Sequence, residues 1–390
     1  MSKVITLKKN EDRRIRNGHL WAFSNEILKI TGEPVAGDIV ELRTSAGALI
    51  GTGFYNPHSL IAVRLLERGA AEIDFKFFSQ RIEQANQIRR RIFSHSETYR
   101  LIHGESDFLP GLVIDKYNDQ LVVQAFSAGM DRRLTLICDV LESLFHPRSI
   151  IERNDISARS LEGLDQKRGV LRGSAGAAAV TEHGVKYSVD LLEGQKTGFF
   201  LDQRDNRRAI RRYARGARVL DCFCNEGGFA LNAAAAEASE VKGVDVSETA
   251  VMRACANAAS NELSDKATFV AADCFDYMKE AAARGEKFDL IILDPPSFAR
   301  SRKSVRKAKK GYKELHLLAY KLLNCGGILA TASCSHHVYE DTFLEIVHES
   351  ARASGRSISL LELHGASPDH PVLPGMSETK YLKFAVLCVN

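Results

Sequence analysis

Residues 219–229 read Val219-Leu-Asp-Cys-Phe-Cys-Asn-Glu-Gly-Gly-Phe229, and Ala-Leu-Asn-Ala-Ala-Ala-Ala236 follows. An apolar run closing on an acid, then a turn with paired glycines, then good helix formers is the pattern strand, turn, helix. Glycine lets the backbone approach a ligand closely, and the helix N-terminus beyond it favours a negative group. Working outward from this unit, strands are expected at 217–223, 241–246, 267–272, 288–293, 326–332, 357–363 and 382–389. Helices are expected near 228–238, 248–261, 275–284, 311–323 and 338–353. Alternation at these lengths predicts an α/β fold, a mostly parallel sheet with helices on both faces. Its active edge should lie at the carboxyl ends of the strands.

Upstream of residue 186 the pattern differs. Short alternating runs at 38–43, 48–54 and 59–66, separated by Gly, Pro and Asn, predict a small β domain. Phe75, Phe78, Ile82, Ala85, Ile88 and Ile92 mark one amphipathic helix, followed by strand-like 111–115 and 120–126, a helix near 131–145, a strand at 149–152 and a hairpin near 173–185. A chain of 390 residues holds two or three domains. The expected division is 1–72, a small β-barrel; 73–185, a small α+β domain; and 186–390, the α/β domain.

Composition is that of an ordinary globular protein, 45% apolar and 26% charged, which excludes disordered and collagen-like classes. No apolar run approaches the ~18 residues of a membrane span, and no hydrophobic segment follows the basic residues of the N-terminus, so a cytoplasmic protein without membrane contact is expected. Eight scattered cysteines form no CxxC pair, so no metal site is expected and each cysteine is by default a small core residue. The net charge of +4 conceals a segregated distribution. Residues 195–215 hold seven cations against two acids, and residues 300–313 hold eight cations and no acid. Such focused charge suggests a polyanionic partner, with nucleic acid the obvious candidate.

Acids end the first three strands of the α/β region, Asp221, Asp245 and Asp273, and the fourth runs into Asp294-Pro-Pro-Ser-Phe298. Asp245 is placed to take both hydroxyls of a ribose, and Asp273 to hold an adenine amino group. The dinucleotide motif G-x-G-x-x-G is absent, because Phe223 and Asn225 occupy glycine places, so a nicotinamide enzyme is disfavoured. The ordered acids are the arrangement of a Rossmann-like, S-adenosylmethionine-dependent methyltransferase.

Further stretches carry a closer likeness. Asp221-x-Phe-x-x-x-Gly-Gly-Phe229, Leu293-Asp-Pro-Pro-Ser-Phe298 with its basic continuation, Ser333-Cys-Ser335 and Gly194-Gln-Lys-Thr-Gly-Phe-Phe-Leu-Asp-Gln-Arg204 resemble the 23S ribosomal RNA 5-methylcytosine methyltransferases that begin with a PUA domain. So do the opening through His19-Leu-Trp-Ala-Phe23 and the central Gly104-Glu-Ser-Asp-Phe-Leu-Pro-Gly-Leu112. The resemblance implies a PUA domain for RNA, a central domain and a catalytic domain using S-adenosylmethionine. It implies cofactor roles for Gly227, Gly228, Asp245, Asp273 and Asp294, joined by Asp221 from the strand-end pattern, with Phe200 and Gln203 in the segment covering the cofactor. Large-subunit ribosomal RNA is the expected partner, and a homodimer stays open beside a monomer. Arg300, Arg302, Lys303, Arg306, Lys307, Lys309 and Lys310 are the first expected RNA contacts, and Lys8, Lys9, Arg13 and Arg14 the second.

Carbon 5 of cytosine is a poor nucleophile, so methylating it needs a thiolate to add first at carbon 6. Cys334 fits, at the carboxyl end of the strand through Ala332 and flanked by Ser333, Ser335, His336 and His337. Cys222, Cys224 and Cys274 lie toward the cofactor, and Cys138, Cys255, Cys325 and Cys388 read as packing residues. Two-cysteine enzymes of this chemistry carry a second cysteine where Ser297 stands here, so product release needs another base or a water, with Asp294 the residue placed to position it. Two other readings stay open: methylation of a base nitrogen without any cysteine, and a non-catalytic RNA-binding assembly factor.

Overall fold

The computed structural model describes residues 3–194, 197–299 and 304–390. The chain forms two compact units. The first takes residues up to Val180 together with Val189–Leu201 and Pro368–Thr379, and the second takes Thr181–Ser188, Asp202–Ser367 and Lys380–Asn390.

The first unit holds two sheets. Six strands between Val4 and Arg68 form one, over a core of Ile5, Leu7, Val40, Leu42, Val63 and Leu65. The other has five strands in the order Lys167–Gly173, Ser149–Asn154, Gln120–Ala125, Leu112–Tyr117, Thr98–His103. The helices Phe75–Ile92 and Leu134–Phe145 contribute Phe78, Ile82, Ile137 and Leu141 to its core. Asp74 caps the longer helix, accepting from Phe77 N at 2.9 Å, which satisfies one of the unpaired donors of the first turn.

In the second unit we label the strands β1 (Arg218–Cys222), β2 (Glu240–Asp245), β3 (Ala267–Ala271), β4 (Phe288–Leu293), β5 (Leu323–Ser333), β6 (Ile358–His364) and β7 (Lys383–Val389). Its longer helices are α1 (Gly228–Ala235), α2 (Glu248–Ser260), α3 (Cys274–Ala283), α4 (Val305–Leu322) and α5 (Glu340–Ala353). The sheet order is β3-β2-β1-β4-β5-β7-β6. The first five strands are parallel, and β7 runs antiparallel between β5 and β6. Strands buried on both faces need continuous apolar runs, and Phe288-Asp-Leu-Ile-Ile-Leu293 is one. Strand order reverses between β1 and β4, so the loops leaving these two strands adjoin there: Asp294 N donates to Cys222 O at 3.4 Å. Ligands of open α/β sheets bind at such a switch point.

Helix α4 starts at Val305, six residues before the expected 311. Ala308, Tyr312, Leu315, His316 and Ala319 make its buried stripe, and the short Ala308 among cations hides the first turn of the apolar period.

Part of the positive charge of 197–215 is taken up inside the fold, while Arg208, Arg212 and Arg215 stay exposed. Arg204 and Arg207 are both 3% exposed. Arg207 grips buried Glu182 through Nε and Nη2, each at 2.6 Å, and Arg204 lies 3.7 Å from the same carboxylate. Arg211 donates to Asn232 Oδ1 at 2.8 Å, and Arg212 and Arg215 pair with Glu362 and Glu237. Burial alone would raise the Glu182 pKa, but Arg207 and Arg204 outweigh it and hold the carboxyl below its ordinary value. The pair's contribution to stability is therefore fully present above the ordinary glutamate value near 4.5 and is lost as pH falls through the lower folded value. Glu182→Gln should remove the carboxylate gripped by two buried guanidinium groups and cost about 3 kcal/mol, read as a lower urea midpoint at neutral pH.

Candidate active site at the carboxyl ends of the strands

The loop from β1 to α1 is shaped by three left-handed residues, Phe223 (φ 63°), Asn225 (φ 47°) and Gly227 (φ 83°). A Cβ at Gly227 would meet the Phe269 ring at 3.1 Å, so both conformation and space require glycine there. Asp221 is fully buried at the end of β1. Its Oδ2 accepts from Ala230 N at 2.8 Å, while Oδ1 has no hydrogen-bond partner among the described residues. Burial raises its pKa well above the carboxylate range, and Asp294 and Asp245 add to the rise. Half-buried Asp245 accepts from Asn225 N and Ser247 N, each at 2.9 Å, and so ties the glycine loop to the end of β2. Asp273 is exposed and caps α3, accepting from Phe275 N at 2.8 Å and Asp276 N at 3.1 Å through Oδ1. These residues fit a ligand that brings a cation to the Oδ1 of Asp221 and hydroxyls to Asp245.

The β4 and β5 loops complete the site. Gln203 Nε2 donates to Asp294 Oδ1 at 3.0 Å and is itself held by Asn206 Nδ2, 2.6 Å from its Oε1. Phe200 is half-buried and belongs to the first compact unit. Cys334 is half-buried, between two serines drawn into one network. Tyr312 OH donates to Ser333 Oγ at 2.9 Å and lies 3.4 Å from Ser335 Oγ, which is 3.1 Å from Ser297 Oγ and accepts from Ala299 N at 3.3 Å. Burial pushes the Tyr312 phenol up to about 12, with Ser333 and Ser335 opposing the rise and the charges of Cys334 and Asp294 adding to it. Tyr312 therefore stays a neutral donor.

Two other thiols near the strand ends are held back from ionising. A hydrogen bond with Cys274 and burial raise the Cys222 thiol, and burial raises that of Cys224. Cys274 is buried, accepting from Phe223 N at 3.2 Å. Cys255 and Cys325 are exposed, not packed as expected from the sequence.

Of the expected RNA contacts, Arg300, Arg302 and Lys303 lie outside the described residues. Arg306, Lys307 and Lys310 are exposed on the first turns of α4 with no ion-pair partner among the described residues, whereas Lys309 pairs with Glu345 at 3.1 Å. In the first unit Lys8, Lys9 and Arg13 are exposed. Lys8 Nζ donates to Asn25 O at 2.6 Å, and Arg14 pairs with Glu26 at 2.7 Å and lies over the Phe23 ring.

Sequence reading missed Tyr312, Ser297 as a bonded member of the network, and Lys383. Lys383 opens β7 and is buried, donating to Ser335 O at 2.8 Å and Tyr381 O at 2.7 Å. Its one signal was a charge at the head of the apolar run Phe-Ala-Val-Leu-Cys-Val389.

Residues 5–68 match the family model of a PUA-like domain, and residues 170–385 that of the S-adenosylmethionine-dependent methyltransferases. The chain is 40% identical over 394 residues to ribosomal RNA large subunit methyltransferase I of Tolumonas auensis, covering 99% of each chain. It is 38% identical over 389 residues to that of Escherichia coli O139:H28, covering 98% of each. A solved structure described as an S-adenosylmethionine-dependent methyltransferase from Streptococcus mutans shares the fold over the whole of both chains, with a TM-score of 0.85 at 21% identity. One described as a methyltransferase complexed with S-adenosylhomocysteine gives 0.86 at 22%. No helix among the described residues is long and apolar enough to cross a membrane. The buried, unpartnered oxygen of Asp221, the glycine cradle at Gly227 and the carboxylate of Asp245 suit the cofactor named by the matching model, so the chain belongs to the PUA-domain family of ribosomal RNA large subunit methyltransferase I, with S-adenosylmethionine as its cofactor.

Proposed function

We propose that the protein methylates carbon 5 of a cytosine in large-subunit ribosomal RNA, in the cytoplasm, with Cys334 as the nucleophile. The observation that carries this reading is the half-buried Cys334 between two serines tied to Tyr312 and Ser297, in the same site as Asp294. S-adenosylmethionine, when bound, supplies an electrophilic methyl group on a sulfonium centre. The chain would hold it through Asp221, the Gly227-Gly228 turn and Asp245, with Asp273 and Asp294 bordering the same edge and Phe200 and Gln203 in the covering segment. The thiolate of Cys334 adds to carbon 6 of the base, which turns carbon 5 into an enamine carbon able to attack. In this reading Asp294, which accepts from Gln203, also accepts from the amino group of the base and positions the water that takes the proton from carbon 5. Such chemistry requires a single-stranded or flipped-out nucleotide.

In the same reading residues 1–72 bind RNA, 73–185 form the central domain and 186–390 carry the chemistry. The arginines and lysines at 300–310 grip phosphates, assisted by Lys8, Lys9, Arg13 and Arg14. Cations in the first turn of a helix oppose its dipole, so Arg306 and Lys307 cost α4 stability, which favours a role outside the fold.

Asp245→Ala is expected to weaken S-adenosylmethionine binding by about 1.5 to 3 kcal/mol, since it removes a charged acceptor and frees the Asn225 and Ser247 amides. Calorimetry reads this directly, and RNA affinity should change little. The function itself is tested by mass spectrometry of ribosomal RNA from cells with and without the protein. One 5-methylcytidine should disappear from the large-subunit RNA. Loss of a nitrogen-methylated base instead would replace the covalent reading by the nitrogen one, and no change would favour the assembly factor.

A further inference from the structure

Lys383 pairs with Ser333 in the antiparallel register of β5 and β7, and it is only 3% exposed. A buried ammonium is costly unless something charged compensates it. Among the described residues no carboxylate pairs with it; both of its hydrogen bonds go to backbone carbonyls, Ser335 O and Tyr381 O. Two carbonyls satisfy the two N–H groups of a neutral amine and leave its lone pair for a proton. Cys334 sits between Ser333, the register partner of Lys383, and Ser335, whose carbonyl Lys383 holds.

We infer that Lys383 takes the proton of the Cys334 thiol, so that the nucleophile stands as a thiolate beside an ammonium. The S–H bond breaks with its electron pair left on sulfur, and the proton joins the Nζ lone pair. When the methylated base departs, the C–S bond breaks with its pair returning to sulfur, which restores the thiolate beside the same ammonium. Lys383 is thus a positioning residue acting through Cys334. The inference rests on Cys334 being the nucleophile proposed above.

Burial brings the Lys383 pKa down to about 8, with the Cys334 charge pulling it up. The other groups facing the pair are Lys380, which lowers it further, Glu340, which raises it and pairs with Lys380 at 2.7 Å, Tyr312 and Asp294. His336, whose ring lies 5.4 Å from that of Tyr381, and His337 flank the same turn.

The test is the rate of alkylation by iodoacetamide across pH, on the full-length protein without RNA or cofactor. It is read at Cys334 by peptide mass spectrometry because Cys255 and Cys325 are exposed as well. The wild-type midpoint should lie below the ordinary thiol value of about 8.5. Lys383→Met should move it up by at least about one pH unit and slow alkylation at neutral pH about tenfold. Lys383→Arg, which keeps a cation, should retain the low midpoint. Calorimetry with S-adenosylmethionine checks that the variants fold. A wild-type midpoint at or above 8.5 overturns the inference without any variant, and so does a Lys383→Met profile that overlays the wild type. Methyl transfer surviving in Cys334→Ala would sink the nucleophile reading instead, an outcome the alkylation profile does not depend on.

Discussion

Cys334→Ala is expected to lower the rate of methyl transfer by about 10,000-fold or more, with folding and cofactor affinity unchanged. The size follows from the chemistry. Without addition at carbon 6 the ring has no electron pair to offer at carbon 5, so the variant loses the route rather than an assisting contact. Neighbouring hydroxyls do not substitute. Ser335 Oγ is buried and already bonded to Ser297 and Ala299, and an alcohol is far less ionised than a thiol at neutral pH. The fold should tolerate the change, because Cys334 is half-buried beyond the end of β5 and lies outside the core packed around Leu329, Phe343 and Leu387. Single-turnover transfer of a labelled methyl group measures the first effect and calorimetry with S-adenosylmethionine the second. A variant retaining a tenth of wild-type activity would rule out the covalent route.

Reversing Arg306, Lys307 and Lys310 together to glutamate should reduce RNA affinity about 1,000-fold at low salt and flatten its salt dependence. Each lost phosphate contact removes about 0.7 to 0.9 from the slope of log affinity against log salt, so three remove about 2 to 3. Lys309 is spared because Glu345 already engages it. The same change distinguishes RNA contact from damage to the fold. Glutamates at 306 and 307, in the first turn of α4, suit the helix dipole, each by about 0.3 to 1 kcal/mol, so the variant should unfold at an equal or higher temperature while it loses RNA. Filter binding across a salt series and a thermal melt give the two readings. An unaltered slope would return the start of α4 to an ordinary solvated helix face.

What the sequence disclosed depended on whether polar groups had partners far along the chain. The inner strands β1, β4 and β7 were legible because burial on both faces makes apolar runs, the half-exposed edge strands β3 and β6 by their alternation with helices, and β1 through β4 fall within one residue of their expected bounds. The strand-end acids were legible for the same reason, since a carboxylate closing an apolar run marks the edge of a sheet. Thr98–His103 went unread because Arg100 interrupts it, yet that arginine is neutralised by fully buried Asp115 through two bonds of 2.8 Å. The buried share of the charge at 197–215, Arg204 and Arg207, was hidden in the same way. Counting cations revealed nothing of Glu182, which absorbs Arg207 from 25 positions away. Lys383 escaped because a lysine heading a strand normally reaches solvent, and only the register opposite Ser333 turns it inward.

The central claim, a covalent bond from Cys334 to carbon 6 of the target cytosine, is tested most directly by RNA carrying 5-fluorocytosine at the methylated position. Fluorine blocks the elimination that frees the enzyme, so the wild-type protein with S-adenosylmethionine should run with the RNA as a slow band on a denaturing gel. Digestion and mass spectrometry of that band should find the modified nucleotide on the peptide containing Cys334, and Cys334→Ala should give no band. Absence of the adduct with the wild-type protein, or its attachment to Cys274, would contradict the assignment.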